Sequence, residues 1–98
     1  MRVHEVKCWR EYFTAIADGS KPFDLRRNDR DYAVGDKMRF LEWDDCKGAF
    51  TGRKVTRRIT YMLEGVGVDA LPPLHGLARG YAILGLGVRA EHFGQTET

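Results

Sequence analysis

Between Asp18 and Asp36 the chain reads D-G-S-K-P-F-D-L-R-R-N-D-R-D-Y-A-V-G-D, nineteen residues with nine charged side chains and two sets of turn formers. No helix can run through it. Gly19 tolerates a left-handed backbone, and Pro22 lacks an N–H and restricts the residue before it. The segment admits turns and one short strand, and it divides the chain into a part that leads in and a part that folds back over it.

Leading in, Val3 to Lys7 reads as a short first strand. Trp9, Tyr12, Phe13 and Ile16 then fall at i, i+3, i+4 and i+7, which puts four large apolar side chains on one helical face. Arg10, Glu11, Thr14 and Asp18 take the other face, and Gly19 should close the helix. Beyond the break, period-2 alternation places Phe23 and Leu25 inward and leaves Asp24 and Arg26 together on the opposite face. N-D-R-D and V-G-D-K read as turns, with Gly35 needed for its backbone angle.

Met38 to Trp43 makes the next strand, followed by a glycine-bearing loop or hairpin over 44–52. Arg53 to Leu63 is the longest strand candidate, with Val55, Ile59, Tyr61 and Leu63 on one alternation. Arg57 interrupts that face, so the start of this strand is expected to be less buried than its end. From Glu64 to Gly80, with Pro72 and Pro73 inside, the chain reads as a long loop. Tyr81 to Val88 is apolar on both faces, as a central strand would be, and Gly85 and Gly87 leave room for a backbone or ligand to approach. Residues 94–98 read as a frayed tail.

One early helix followed by about five strands predicts a single α+β domain over residues 1–98, a small β-barrel or curled sheet with the helix packed against it. Apolar residues form 43% of the chain, enough for a core of this size. No apolar run approaches the ~20 residues of a membrane span, and M-R-V-H-E-V-K lacks the apolar stretch of a signal peptide. A cytoplasmic protein is expected, with Cys8 and Cys46 as free thiols. A net charge of +2 does not advertise nucleic acid, so any such argument must come from how charge is clustered.

Three clusters qualify. Lys21, Asp24 and Arg26 share one small neighbourhood, where two cations beside a carboxylate can grip phosphate while the carboxylate orients them or accepts from a base. The simpler account is a surface salt-bridge cluster. In the run Arg26, Arg27, Asn28, Asp29 and Arg30 the three arginines can contact phosphates and Asn28 can pair with a base edge; alternatively Asn28 and Asp29 cap a turn while Arg30 pairs with Asp29 or Asp31. Arg53, Lys54, Arg57 and Arg58 form the third, with Lys54 and Arg58 on one strand face, either a solvated strand end or an extension of a positive surface. Trp43 is the better stacking candidate, since Trp9 is accounted for as core on the helix face. Asp29 and Asp36 read as structural. His75 and His92 are isolated, and His4 has no metal-type spacing, so neither metal nor cofactor is expected.

The pattern G-x-K-x-x-D-x-R after an aromatic-rich helix resembles the signature of ASCH domains, in the PUA-like superfamily. With H-x-x-K at the start, R-x-N-D-R-x-x-x-V-G-D, L-E-W and a later T-G-R, the chain is more similar still to a small ASCH-related family of unknown function from bacteria and phages. The resemblance implies a pseudo-barrel with a cleft beside the helix that binds RNA or a modified nucleotide. Lys21, Asp24 and Arg26 would line the cleft, with His4 and Lys7 next to it. Asp24 stands where the pattern usually has Glu, one methylene longer. Some ASCH-like proteins hydrolyse acetylated cytidine with a lysine, a threonine and a glutamate. Lys21 matches that lysine, but Asp24 occupies the threonine's place, so an enzyme here would need Lys21 and Asp24 as an acid–base pair. A third reading is a protein-interaction module with the charged cluster as docking face, which an exposed apolar patch over Leu71 to Leu77 would favour.

Overall fold

The computed structural model describes residues 1–67 and 76–87. In chain order its elements are β1 (Val3–Trp9), α1 (Arg10–Asp18), β2 (Phe23–Arg27), β3 (Lys37–Asp44), β4 (Ala49–Glu64) and β5 (Tyr81–Leu86). They form one mixed five-stranded sheet in the order β1-β3-β4-β5-β2, with one short helix, an α+β arrangement. β1 and β3 run parallel, and every other pairing is antiparallel. β4 joins the halves: its first part pairs with β3, and its second part, past an irregularity between Ile59 and Tyr61, pairs with β5. β1 and β2 are the sheet's two edges. Side chains reach across to β1, since Arg26 of β2 donates to the Lys7 carbonyl at 2.8 Å and Arg30, just past β2, to the Glu5 carbonyl at 2.8 Å.

The core lies on one face of this sheet, under α1. Phe13 and Ile16 reach down from the helix onto Met38, Phe40, Ile59 and Leu84, all fully buried. The helix ends as expected, at Gly19 with φ 88°. It starts later than expected, at Arg10. Trp9 belongs to β1, whose alternation buries His4, Val6 and Cys8 and turns Trp9 outward, 44% exposed. Tyr12 is 47% exposed. The expected four-residue apolar face is therefore two residues wide, because the strand's period governs Trp9.

A larger correction concerns β2. Phe23 and Leu25 are exposed, Asp24 is buried and Arg26 is half-buried, the reverse of the expected facing. The cause lies in the partner strand. β5 is apolar on both faces, so its own sequence leaves open which face turns inward. Packing takes Ala82, Leu84 and Leu86 inward. The antiparallel register sets Asp24 opposite Leu84 and Arg26 opposite Ala82, and carries both inward with them. The lysine and arginine flanking Asp24 make its burial tolerable.

The alternation of β4 suggested burial toward its end; instead the strand is buried in its middle, and residues 49–53 at its start are exposed. Val55, Thr56, Arg57 and Ile59 are buried, whereas Tyr61 is exposed. Arg57 is no solvated end: it donates to the carbonyls of Ile16 (2.7 Å), Ala17 (3.1 Å) and Gly87. Two of those carbonyls belong to the last turn of α1, where backbone acceptors run short of donors; that of Ile16 also accepts the Gly19 N–H at 3.3 Å. A buried cation thus ties the helix's negative end to the sheet.

Both cysteines are free, Cys8 buried and Cys46 exposed. Among the described residues, no helix is long and apolar enough to cross a membrane. His75, His92, the tail and most of the Leu71–Leu77 stretch lie outside the described residues.

Candidate functional site

Where β1 runs into α1 and the Ser20–Pro22 turn runs into β2, the chain leaves a cleft of about 430 Å³. Its floor is Asp24 and Cys8; its cations are Lys7, Lys21 and Arg26; its rim is Trp9, Tyr12, Phe23 and Leu25. The facing of β2 builds this site. With Asp24 turned inward, the carboxylate sits at the bottom, and Phe23 and Leu25 become walls at the mouth.

Among the described residues, Asp24 is held by side chains. Arg26 Nε donates to its Oδ2, and Lys21 Nζ lies 3.6 Å from its Oδ1. Lys21 also donates to the Phe23 carbonyl at 3.1 Å. One carboxylate thus faces two cations, and Lys7 adds a third across the cleft. The aromatic rings are set against those cations. Lys21 Nζ lies 4.8 Å from the Phe23 ring and 5.3 Å from that of Tyr12. Lys7 Nζ lies 4.4 Å from the Trp43 ring and 5.9 Å from that of Trp9. Burial, aided by the nearby Asp24, pushes the Cys8 thiol up to about 11. Cys8 is therefore a protonated floor residue and no nucleophile at neutral pH.

The structure brings together four of the residues singled out from sequence: Lys7, Lys21, Asp24 and Arg26. Trp43 joins them at one remove through Lys7, half-buried with its edge against Phe50. A shallower depression continues past Leu25 and Arg26, lined by Arg27, Asp29, Arg30 and Tyr32. There Arg27 sits 6.0 Å from the Tyr81 ring. Asn28 acts as a turn residue, its Oδ1 accepting the Tyr32 N–H at 3.3 Å.

The remaining candidates lie elsewhere. His4 is buried and bonded to Asp36 at 2.8 Å, with its ring against Tyr32. Arg58 donates to the Gly35 carbonyl at 3.1 Å, and Lys54 stands opposite Leu41 in the β3–β4 ladder. None of these three lines either depression. Trp9, Tyr12, Phe23, Leu25 and Cys8 were missed by sequence reasoning. The available signal was the alternation of lysines and aromatics in K-C-W and K-P-F, obscured by assigning Trp9 and Phe23 to the core.

Compared with known proteins, the chain is 44% identical over 59 residues to an uncharacterized 12.9 kDa protein in the GpA 3′ region of Escherichia phage P2. The match covers 60% of this chain and 52% of the phage protein, so the chain spans about half the length of that relative. Residues 3–86, which include every residue of the cleft, match a family described as Domain of unknown function (DUF3850). The chain belongs to this DUF3850 family.

Proposed function

We propose that this protein is an ASCH-like, PUA-like domain that binds single-stranded RNA or a nucleotide in the cleft beside α1, and that its sheet forms the pseudo-barrel of that superfamily. The observation that carries the reading is the pairing of cations with exposed aromatic faces around a buried carboxylate. Lys7, Lys21 and Arg26 meet phosphate oxygens. Trp9, Tyr12 and Phe23 offer faces on which bases stack, an interaction worth ~1–3 kcal/mol per base. Asp24, freed from one of its cations when phosphate takes its place, accepts an N–H from a base edge.

The test is binding of a short single-stranded RNA to wild type and Lys21→Ala across a salt series. Three phosphate contacts at about −0.7 per contact give a log–log salt slope near −2. The variant should bind more weakly with a shallower slope. No binding at low salt would end this reading.

A second reading has one observation behind it: Lys21 Nζ and Asp24 Oδ1 lie 3.6 Å apart at the cleft floor. That is the pair that hydrolysis of an acylated nucleoside would need as acid and base. Turnover of an acylated nucleoside by wild type and its loss in Asp24→Asn would favour it. No turnover would remove it.

A further inference from the structure

On the far side of α1 lies a second and larger cleft, about 600 Å³, which the RNA reading does not use. Two sequence segments meet there that the first cleft leaves aside, L-E-W (41–43) and T-G-R (51–53). The β3–β4 ladder pairs Leu41 with Lys54 and Trp43 with Phe50, so Thr51, Gly52 and Arg53 all face the single residue Glu42. Gly52, at φ 94°, allows that bulge. Bulges of this kind re-aim side chains. Here the bulge turns Thr51 and Arg53 onto one carboxylate.

Glu42 is 2% exposed and lines this cleft. Thr51 Oγ1 donates to its Oε1 at 2.6 Å and itself accepts the Arg53 N–H at 3.1 Å. Oε2 is buried and receives no hydrogen bond from the described residues. The nearest cation, Arg53, stands 3.6 Å away with its side chain 46% exposed, an ion pair beyond hydrogen-bonding range. A buried carboxylate oxygen without a donor has lost its water and gained nothing in exchange. Arg10, also exposed, pairs with the buried Asp44 at 3.2 Å on the same cleft, and Lys47 stands at the mouth. The site thus offers a buried acceptor pair inside and loosely held cations outside.

We infer that this cleft binds a small ligand with two adjacent N–H donors joined to an anionic group, with Glu42 receiving the donors and Arg53 and Arg10 the anion. Arg53 swings from Oε2 to the anion as the donors enter. Oε1 keeps a second lone pair beside its bond from Thr51, so Glu42 can accept in bidentate fashion. Two sources share this chemistry, a guanine nucleotide and a guanidinium amino acid. Adenine sets an acceptor beside its amino group and does not match.

The test is calorimetric titration of the full chain with 5′-GMP, 5′-AMP and L-arginine, on wild type, Glu42→Gln, Arg53→Gln and Lys21→Ala. GMP binding at least tenfold tighter than AMP that is lost in Glu42→Gln and weakened in Arg53→Gln establishes the nucleotide form. The same pattern with L-arginine in place of GMP establishes the amino-acid form. Binding lost in Lys21→Ala and kept in Glu42→Gln belongs to the first cleft and overturns the inference. Binding of neither probe at millimolar concentration overturns the inference, as does equal binding of GMP and AMP. If Glu42→Gln fails to fold, the exposed Arg53→Gln variant decides: unchanged affinity overturns the site. The Lys21→Ala arm separates this cleft from the RNA cleft, so either proposal can fail alone.

Discussion

Asp24 and Asp36 are both buried carboxylates near strand ends, yet the molecule uses opposite means to satisfy them. Asp36 is bound by fixed donors: the Arg2 N–H at 3.0 Å, the Ala33 N–H at 3.2 Å and the buried His4 ring at 2.8 Å. Asp24 is bound by the side chains of Lys21 and Arg26, each about one-fifth exposed and each lining a cleft. Fixed donors cannot leave without unfolding something. Half-buried cations on long stems that line a cleft can turn to another anion. The first arrangement locks β1 to the turn before β3; the second leaves a carboxylate and its cations open to exchange with a ligand.

The sharpest way to break the comparison is to neutralise each carboxylate. Asp36→Asn should lower unfolding free energy by about 2–4 kcal/mol in urea denaturation, since buried donors lose a charged acceptor. Asp24→Asn should lower it by only about 1 kcal/mol, because Lys21 and Arg26 can turn to water. Equal losses would erase the distinction. Next in size is the aromatic rim. Trp9→Ala should weaken RNA binding by about 1–3 kcal/mol, read by fluorescence anisotropy, with little change in stability.

The pH dependence sharpens the Asp36 side. Burial alone would raise its pKa, but hydrogen bonds from His4, Arg2 and Ala33 outweigh it and hold the carboxyl below its ordinary value. Its contribution is therefore complete above the unfolded carboxyl pKa of about 3.9 and is lost as pH falls through the lower folded value. Acid titration of stability should show that limb in wild type and not in Asp36→Asn. The smallest effect concerns Cys8. A thiol reagent at pH 8 should label Cys46 quickly and Cys8 only in denaturant, since Cys8 is buried and its pKa raised to about 11.

Much of the frame was legible because its signals are local. Gly19 and Pro22 end the helix by backbone chemistry, and Gly35 (φ 99°) turns the chain into β3. The grouping of Lys21, Asp24 and Arg26 followed from spacing alone. What escaped was the choice of face, a property of pairing. Neither Phe23 and Leu25 nor the doubly apolar β5 states which side turns inward, and a one-residue choice in the partner exposes two apolar residues and buries a charge. The role of Arg57 escaped for a related reason. A cation on an alternating strand reads as solvated until a helix C-terminus arrives from about forty residues away. His4 escaped likewise, since its partner Asp36 lies on another element.

The most direct measurement is an amide-shift map of the protein titrated with a short single-stranded RNA at low salt. An exchangeable Asp24 cluster beside a fixed Asp36 cluster gives shifts at Lys7, Trp9, Lys21 and Arg26, with Arg2, His4 and Asp36 still. Shifts centred on the Asp36 end, or none at the cleft, would contradict the account.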